Sequence, residues 1–320
     1  MMKAVLCGVG SFLPHKAVTN EDLSLIVDTT DEWIFRRTGI KRRYLVSEGE
    51  ATSDMAVKAA EAALSDAGVS AEEVDLIVVA TSTPDSTLPS CATMVQGKLG
   101  CTKAFAFDMN AACSGFVYAI SVVDSLIKTG QVGVALLIGA ESMSKIVDWH
   151  DRSTCVLFGD GAGACVFKGD RKTSNRGIVD TALYTDGTLG DILYTDGGVA
   201  STCTAGHIRM KGTVLFEHAI LKLSSSVEGL LKKNAIGIDA IDWFIPHQAN
   251  VRIVDLVAKR LGISQDKVVL GIGDHANTSA ASIPLAMSDA RRDGKLQEGQ
   301  LVLLSAIGAG VTWGASLIRL

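Results

Sequence analysis

Val74-Asp-Leu-Ile-Val-Val-Ala-Thr-Ser82 is an acid, an apolar run and a polar turn, and Ile241-Asp-Trp-Phe-Ile-Pro-His-Gln-Ala249 repeats that order in the second half of the chain. Short apolar runs bounded by polar turns read as strands buried on both faces. Farther along each half, Asn110-Ala-Ala-Cys-Ser-Gly-Phe116 and Ala276-Asn-Thr-Ser-Ala-Ala-Ser282 both precede helical periodicity. Buried strands ending in glycine follow, Val134 to Gly139 and Leu301 to Gly308. Between such runs lie alanine-rich amphipathic stretches. In Ser53 to Ala67, Ser53 or Asp54 can cap, Met55, Val57, Ala60 and Leu64 share a face, and Gly68 can end the helix. The pattern predicts an α/β protein of two similar halves, 1–170 and 171–320, with the boundary in the polar stretch near Gly169 to Gly177. It also brings Cys113, His247 and Asn277 to corresponding turns just beyond strands, where α/β folds place ligands.

The 320 residues are 48% hydrophobic and 20% charged, with 32 glycines and 5 prolines, which excludes disordered, collagenous and coiled-coil classes. A net charge of −5 argues against a nucleic-acid-coating protein, because phosphate binding needs surplus Lys and Arg. Runs such as Val134-Ala-Leu-Leu-Ile138 are strand length, far below the roughly 20 residues of a membrane span. Met1-Met-Lys-Ala-Val-Leu-Cys-Gly8 enters a strand-like pattern without a long apolar leader region, so a cytoplasmic protein is expected, with neither membrane nor nucleic acid as partner. Seven cysteines without a C-x-x-C pair predict neither a disulfide framework nor a zinc site. The histidines form no ligand pair at helical or finger spacing, so no metal is expected.

Cys113 sits among small residues just before Phe116 to Lys128, where a helix N-terminus favours the thiolate and backbone N–H groups can hold an oxyanion. A cysteine there is either a buried spacer or a nucleophile. His247, after the strand-ending Pro246, is either a satisfied loop histidine or a donor; Asn277 is either a cap or a donor. A neutral imidazole N–H and an amide can together polarise one carbonyl, which suits enolate stabilisation better than hydrolysis. Gly159-Asp-Gly-Ala-Gly163 reads as a tight turn, whereas Ile307-Gly-Ala-Gly310 could also offer a backbone N–H to a carbonyl. Neither fits a nucleotide-binding glycine pattern. Asp31-Glu-Trp-Ile-Phe-Arg-Arg-Thr-Gly39 joins an aromatic to two guanidinium groups; with Arg152 it is either a charged surface turn or a seat for a flat base and phosphates.

In order along the chain, Thr30-Asp-Glu-Trp-Ile34 with Arg37-Thr-Gly-Ile40, the cysteine motif at 110–116, and Leu157-Phe-Gly-Asp-Gly-Ala162 are joined by three later motifs. These are Pro246-His-Gln-Ala-Asn250, Asn277-Thr-Ser-Ala-Ala-Ser282 and Val311-Thr-Trp-Gly314. Together they resemble the 3-oxoacyl-[acyl-carrier-protein] synthase III family of thiolase-like condensing enzymes over essentially the whole chain. The resemblance implies a five-layered αβαβα fold, a homodimer and a catalytic triad of Cys113, His247 and Asn277. It implies that Cys113 takes an acyl group from acetyl-CoA or another short acyl-CoA. His247 and Asn277 would then support decarboxylation of malonyl-acyl carrier protein, with Cys113 and Ala309 N–H groups as the oxyanion hole and no cofactor or metal. The reaction would initiate type II fatty acid synthesis; a relative making a quinolone or polyketide starter would share the triad. The resemblance further implies coenzyme A contacts at Trp33, Arg37, Arg152 and Asn250, carrier-protein docking at Arg252, Lys259 and Arg260, and an acyl pocket at Leu88 and Phe158. The chain departs from relatives in Ile307 and Ala309, where Phe and Gly are frequent, in Glu217, where some relatives are basic, and in Leu88, where some place a Phe of the partner subunit.

Overall fold

The computed structural model describes residues 2–171 and 175–320. Its strands are β1 Lys3–Phe12, β2 Lys16–Thr19, β3 Arg42–Leu45, β4 Leu76–Ala80, β5 Phe105–Met109, β6 Val134–Ser142 and β7 Asp160–Asp170. In the second half they are β8 Gly177–Thr185, β9 Leu193–Thr195, β10 Ile208–Met210, β11 Trp243–Pro246, β12 Leu301–Gly308 and β13 Thr312–Arg319. One sheet has the order β1-β7-β6-β4-β5 and the other β11-β12-β13-β8, while β2-β3 and β9-β10 form small two-stranded antiparallel sheets. Four strands of each sheet correspond: a parallel pair, β4 with β6 or β11 with β12, continues on one side into two antiparallel strands, β7 and β1 or β13 and β8, and the first sheet adds β5 parallel to β4. The place of β5 is taken in the second sheet by a single parallel bridge from Phe244 to Val268. Strands of the first sheet all come from residues 3–170 and those of the second from 177–319; the expected boundary stretch includes 172–174, which lie outside the described residues.

Alternation along the strands builds the layers, because successive side chains point to opposite faces. Leu76 and Val78 join a central core with Val302 and Leu304 of the second sheet and with the helices Gly115–Lys128 and Ser282–Arg292. Ile77 and Val79 face the other way, into a core with the helices Thr52–Ala67 and Cys91–Leu99. Leu301 and Leu303 likewise face the helices Gly212–Lys233 and Val251–Leu261. The order helix, sheet, helix, sheet, helix is the five-layered αβαβα arrangement.

Several local expectations change. The helix anticipated from Ser53 begins at Thr52, and Asp54 accepts the Ala51 N–H at 2.9 Å from inside the first turn instead of serving as N-cap. Ala56, Ala59 and Ala63 fill its buried face, while Val57 is only half-buried. Gly159–Gly163 is not a turn: its residues from Asp160 onward open β7, because a Cβ on Gly163 would lie 2.6 Å from the Leu285 nitrogen of the helix packed on that strand. Asp31–Thr38 is a helix, capped by Thr30 and closed by Gly39 at φ 79°. The repeat also shifts by one residue. The turns Ala112–Ser114 and Ser279–Ala281 correspond, so Cys113 matches Ala280 and Asn110 matches Asn277. Among the described residues no helix is long and apolar enough to cross a membrane.

Candidate active site

Each half sends a turn across to the other. A Cβ on Gly308 of β12 would lie 2.7 Å from the Cys113 nitrogen, and one on Gly139 of β6 would lie 2.3 Å from the Ala280 carbonyl oxygen. Only bare backbone at these two positions lets the Ala112–Ser114 and Ser279–Ala281 turns settle onto the opposite sheets. One cleft at this junction is lined by Cys113, His247 and Asn277.

Cys113 is buried, and burial pushes its thiol from the ordinary 9.0 up to about 12. The nearby Ser279 side chain pulls the other way, and the Glu141 charge adds to the rise. The expectation that the helix N-terminus would favour the thiolate is therefore reversed in the resting site. The net rise corresponds to about 4 kcal/mol, whereas a helix end supplies about 0.3–1 kcal/mol.

His247 follows β11 and is buried; burial pulls its imidazole down to about 4, so the ring is neutral near pH 7. Its Nδ1 lies 2.7 Å from Ser282 Oγ, which also accepts the Gln248 N–H at 3.3 Å. In the tautomer whose Nδ1 accepts the Ser282 hydroxyl hydrogen, Nε2 carries the ring's N–H. Asn277 is clamped by its neighbours: its N–H donates to the Leu157 carbonyl at 2.9 Å, and its own carbonyl accepts the Gly159 N–H at 3.1 Å. Its Oδ1 takes the Ser279 N–H at 2.9 Å, which fixes the amide and leaves Nδ2 as the donor group. Two neutral donors and a thiol thus share one cleft.

Toward its mouth the same cleft is lined by Trp33, Arg37, Arg152, Asn250 and Arg252. Helical spacing brings Arg37 to 4.7 Å from the Trp33 ring centroid, and Arg152 lies 4.9 Å from it. At that distance the Trp33–Arg152 pair is closed, so a flat base enters only when Arg152 is displaced. Arg152 is held by the Asp28 carbonyl at 2.8 Å. Asn250 caps the Val251–Leu261 helix. Arg252 lies 5.4 Å over the Phe216 ring, and Lys259 and Arg260, exposed, follow two turns along the same helix.

Phe158 and Cys113 also line a second cavity, together with Met143, Ile146, Ile208 and Ala309. Its apolar walls come from segments distant in sequence, so no spacing marks Met143, Ile146 or Ile208 beforehand. Glu141 did carry a signal, a carboxylate closing the apolar strand Leu136-Leu-Ile-Gly-Ala-Glu141. Leu88 is not brought to either cavity: it is 84% exposed. Among the described residues no group of His, Cys, Asp and Glu side chains is arranged to hold a metal ion.

The 3-oxoacyl-[acyl-carrier-protein (ACP)] synthase III family model matches residues 107–187, and its C-terminal companion matches 231–320. The beta-ketoacyl-[acyl-carrier-protein] synthase III of Anaplasma marginale (strain St. Maries) is 67% identical across the whole of both chains. The chain belongs to the 3-oxoacyl-[acyl-carrier-protein] synthase III family. The corresponding enzyme of Ehrlichia ruminantium (strain Gardel) is 57% identical, again over the full length of both. The crystal structure of the Aquifex aeolicus VF5 family member superposes with a TM-score of 0.94 at 46% identity, covering 99% of this chain and all of that one. Membership makes the protein an acyl-transferring condensing enzyme of thiolase-type fold.

Proposed function

We propose that the protein joins an acetyl group, or another short acyl group, from coenzyme A to malonyl-acyl carrier protein, initiating fatty acid synthesis. One observation supports this reading above others: a buried thiol and two fixed neutral donors line a single cleft whose mouth carries an aromatic ring between guanidinium groups. In the first half-reaction the Cys113 sulfur attacks the thioester carbonyl and coenzyme A leaves. Trp33 receives the adenine as Arg152 swings aside, Arg37 faces the phosphates, and Asn250 lies along the pantetheine arm.

In the second half-reaction malonyl-carrier protein docks at Arg252, Lys259 and Arg260, an exposed basic helix suited to an acidic partner. His247 Nε2–H and Asn277 Nδ2 donate to the malonyl thioester oxygen. Because neither is a cation, they stabilise the enolate left by CO2 without holding the carboxylate in place. The carbanion attacks the acyl-Cys113 carbonyl, whose oxygen is received by the Cys113 and Ala309 N–H groups. Phe158 and the apolar second cavity accept the acyl chain. No step calls for a metal or other cofactor. We further propose that the active form is a homodimer, since β5 stands at the edge of its sheet with Phe105 exposed.

Intact mass after incubation with acetyl-CoA tests this reading. Wild type is expected to gain one acetyl group, discharged with CO2 on addition of malonyl-carrier protein, while Cys113→Ala gains none. Equal acetylation of both proteins would remove Cys113 as nucleophile.

A further inference from the structure

Ser279 has a φ of 52°, left-handed backbone that a side-chain-bearing residue adopts at a cost. It is held there by contacts on every side. Its N–H donates to Asn277 Oδ1 at 2.9 Å, its hydroxyl donates to Glu141 Oε1 at 2.9 Å, and its side chain lines one cavity together with Cys113. Glu141 is fully buried. Its other oxygen, Oε2, accepts from Thr83 Oγ1 at 2.6 Å, the Ser82 N–H at 3.0 Å and Thr81 Oγ1 at 3.3 Å. Every hydrogen bond it accepts among the described residues comes from a neutral donor, so this carboxylate is buried without a cation to balance it.

A buried carboxylate that needs four donors is expensive to keep, and structural packing alone does not call for one. The chemistry at Cys113 does. Its thiol proton must leave when sulfur bonds to the acyl carbon, and His247 is badly suited to take it: Nδ1 is occupied by Ser282, and burial holds the ring's proton affinity low. Glu141 has the opposite bias, since burial raises its affinity for a proton.

We infer that Ser279 and Glu141 form the route by which the Cys113 proton leaves and returns, an inference that rests on the acyl-transfer reading above. As Sγ bonds to the acyl carbon, the thiol proton passes to Ser279 Oγ and the serine's own hydrogen passes to Glu141 Oε1. The carbon–sulfur bond to coenzyme A breaks with its electron pair, and coenzyme A departs as the thiolate, to be protonated in water. In the second half-reaction the malonyl carboxylate leaves as CO2, the new carbon–carbon bond expels Cys113 as thiolate, and Glu141 returns the proton through Ser279. Glu141 is thereby neutral for the lifetime of the acyl-enzyme and charged otherwise. Ser279, which lines the same cavity as Cys113, takes the proton from the sulfur directly; Glu141 acts through it.

Alkylation of Cys113 by iodoacetamide at neutral pH tests the route without any acyl-CoA, with Cys113→Ala defining the background from the other cysteines. Glu141→Gln and Ser279→Ala are each expected to slow alkylation about 100-fold, the lower end of what a positioned proton acceptor contributes. The double variant should be no slower than either single one. Acyl-enzyme formation should slow in parallel, with the KM for acyl-CoA unchanged, a split that general loosening of the site would not produce. Loss of a neighbouring negative charge with no relay predicts the reverse sign for Glu141→Gln. Alkylation at or above the wild-type rate therefore overturns the inference. Where Glu141→Gln fails to fold, Ser279→Ala decides alone, and a wild-type rate in it overturns the inference. Slowed alkylation in a protein that acetyl-CoA never acylates would leave the relay standing and remove the proposed substrate. Normal acylation with unchanged alkylation in both variants would do the opposite.

Discussion

The neutrality of His247 has a thermodynamic consequence that can be measured apart from catalysis. Burial holds the folded ring at about 4, whereas in the unfolded chain it titrates near 6.5. Below that value the unfolded state binds a proton that the folded state refuses, so the contribution to stability is present in full above about pH 6.5 and is lost as pH falls toward 4. The loss between pH 7 and pH 5 amounts to about 2 kcal/mol. His247→Gln keeps a donor and removes the titration. Urea midpoints at the two pH values should show a larger acid loss in wild type than in this variant; equal losses would mean the ring is not held neutral. His275, also pulled down by burial, is present in both proteins and cancels. At this scale the sequence was informative where a residue's role depends on its own turn. Cys113 and His247 each follow a strand, and Cys113 and Asn277 sit among small neighbours, so their presentation could be read locally, although Asn277 follows the short helix Ile272–His275 and not the strand expected there. Ser279, Ser282 and Glu141 could not be assigned that way, because each has a side-chain partner from a segment at least 34 residues away.

Elements meet at this site through two glycines, and their effect is testable on the geometry itself. The Cβ that would lie 2.3 Å from the Ala280 oxygen makes Gly139→Ala an overpacking substitution at the contact that seats Ser279. A stability loss of about 1–3 kcal/mol is expected, together with slower acyl-enzyme formation. Gly237→Ala is the control, since nothing lies within 4 Å of its added methyl and it should leave both the urea midpoint and acylation near wild type. If Gly139→Ala matched the control, the β6 contact would not be what positions the 279–281 turn. Element-scale misreadings in the sequence have the same origin. Gly159–Gly163 contains the glycines expected of a turn, yet they serve the approach of the Ser282–Arg292 helix to β7. Asp31–Gly39 carries two arginines and an aromatic expected of an exposed loop, yet Thr30 and Gly39 cap it as a helix. In both cases the residue type was read correctly and the neighbour that determines its use lay elsewhere in the chain.

Over the whole molecule, the two halves complete the thiol cleft within one chain, while the two residues expected at the acyl pocket lie apart. Phe158 lines both cavities beside Cys113, whereas Leu88 is 84% exposed and lines neither. If Leu88 helps to select the acyl chain, it must do so in a neighbouring subunit, and the unpaired edge of β5 is where such a neighbour would pair. Placing a charge on that edge by Phe105→Asp is expected to yield monomers in sedimentation velocity. Mixed dimers carry the argument further. Leu88→Trp homodimers should disfavour longer acyl-CoA primers relative to acetyl-CoA. In a dimer of one Leu88→Trp subunit and one Cys113→Ala subunit, the only working thiol belongs to the Leu88→Trp chain, and its pocket would be closed by the partner subunit's Leu88. Wild-type primer selectivity in that mixed dimer would show that the leucine acts across the interface. Selectivity still like the Leu88→Trp homodimer would confine its influence to its own subunit and leave the edge of β5 without a part in choosing the primer.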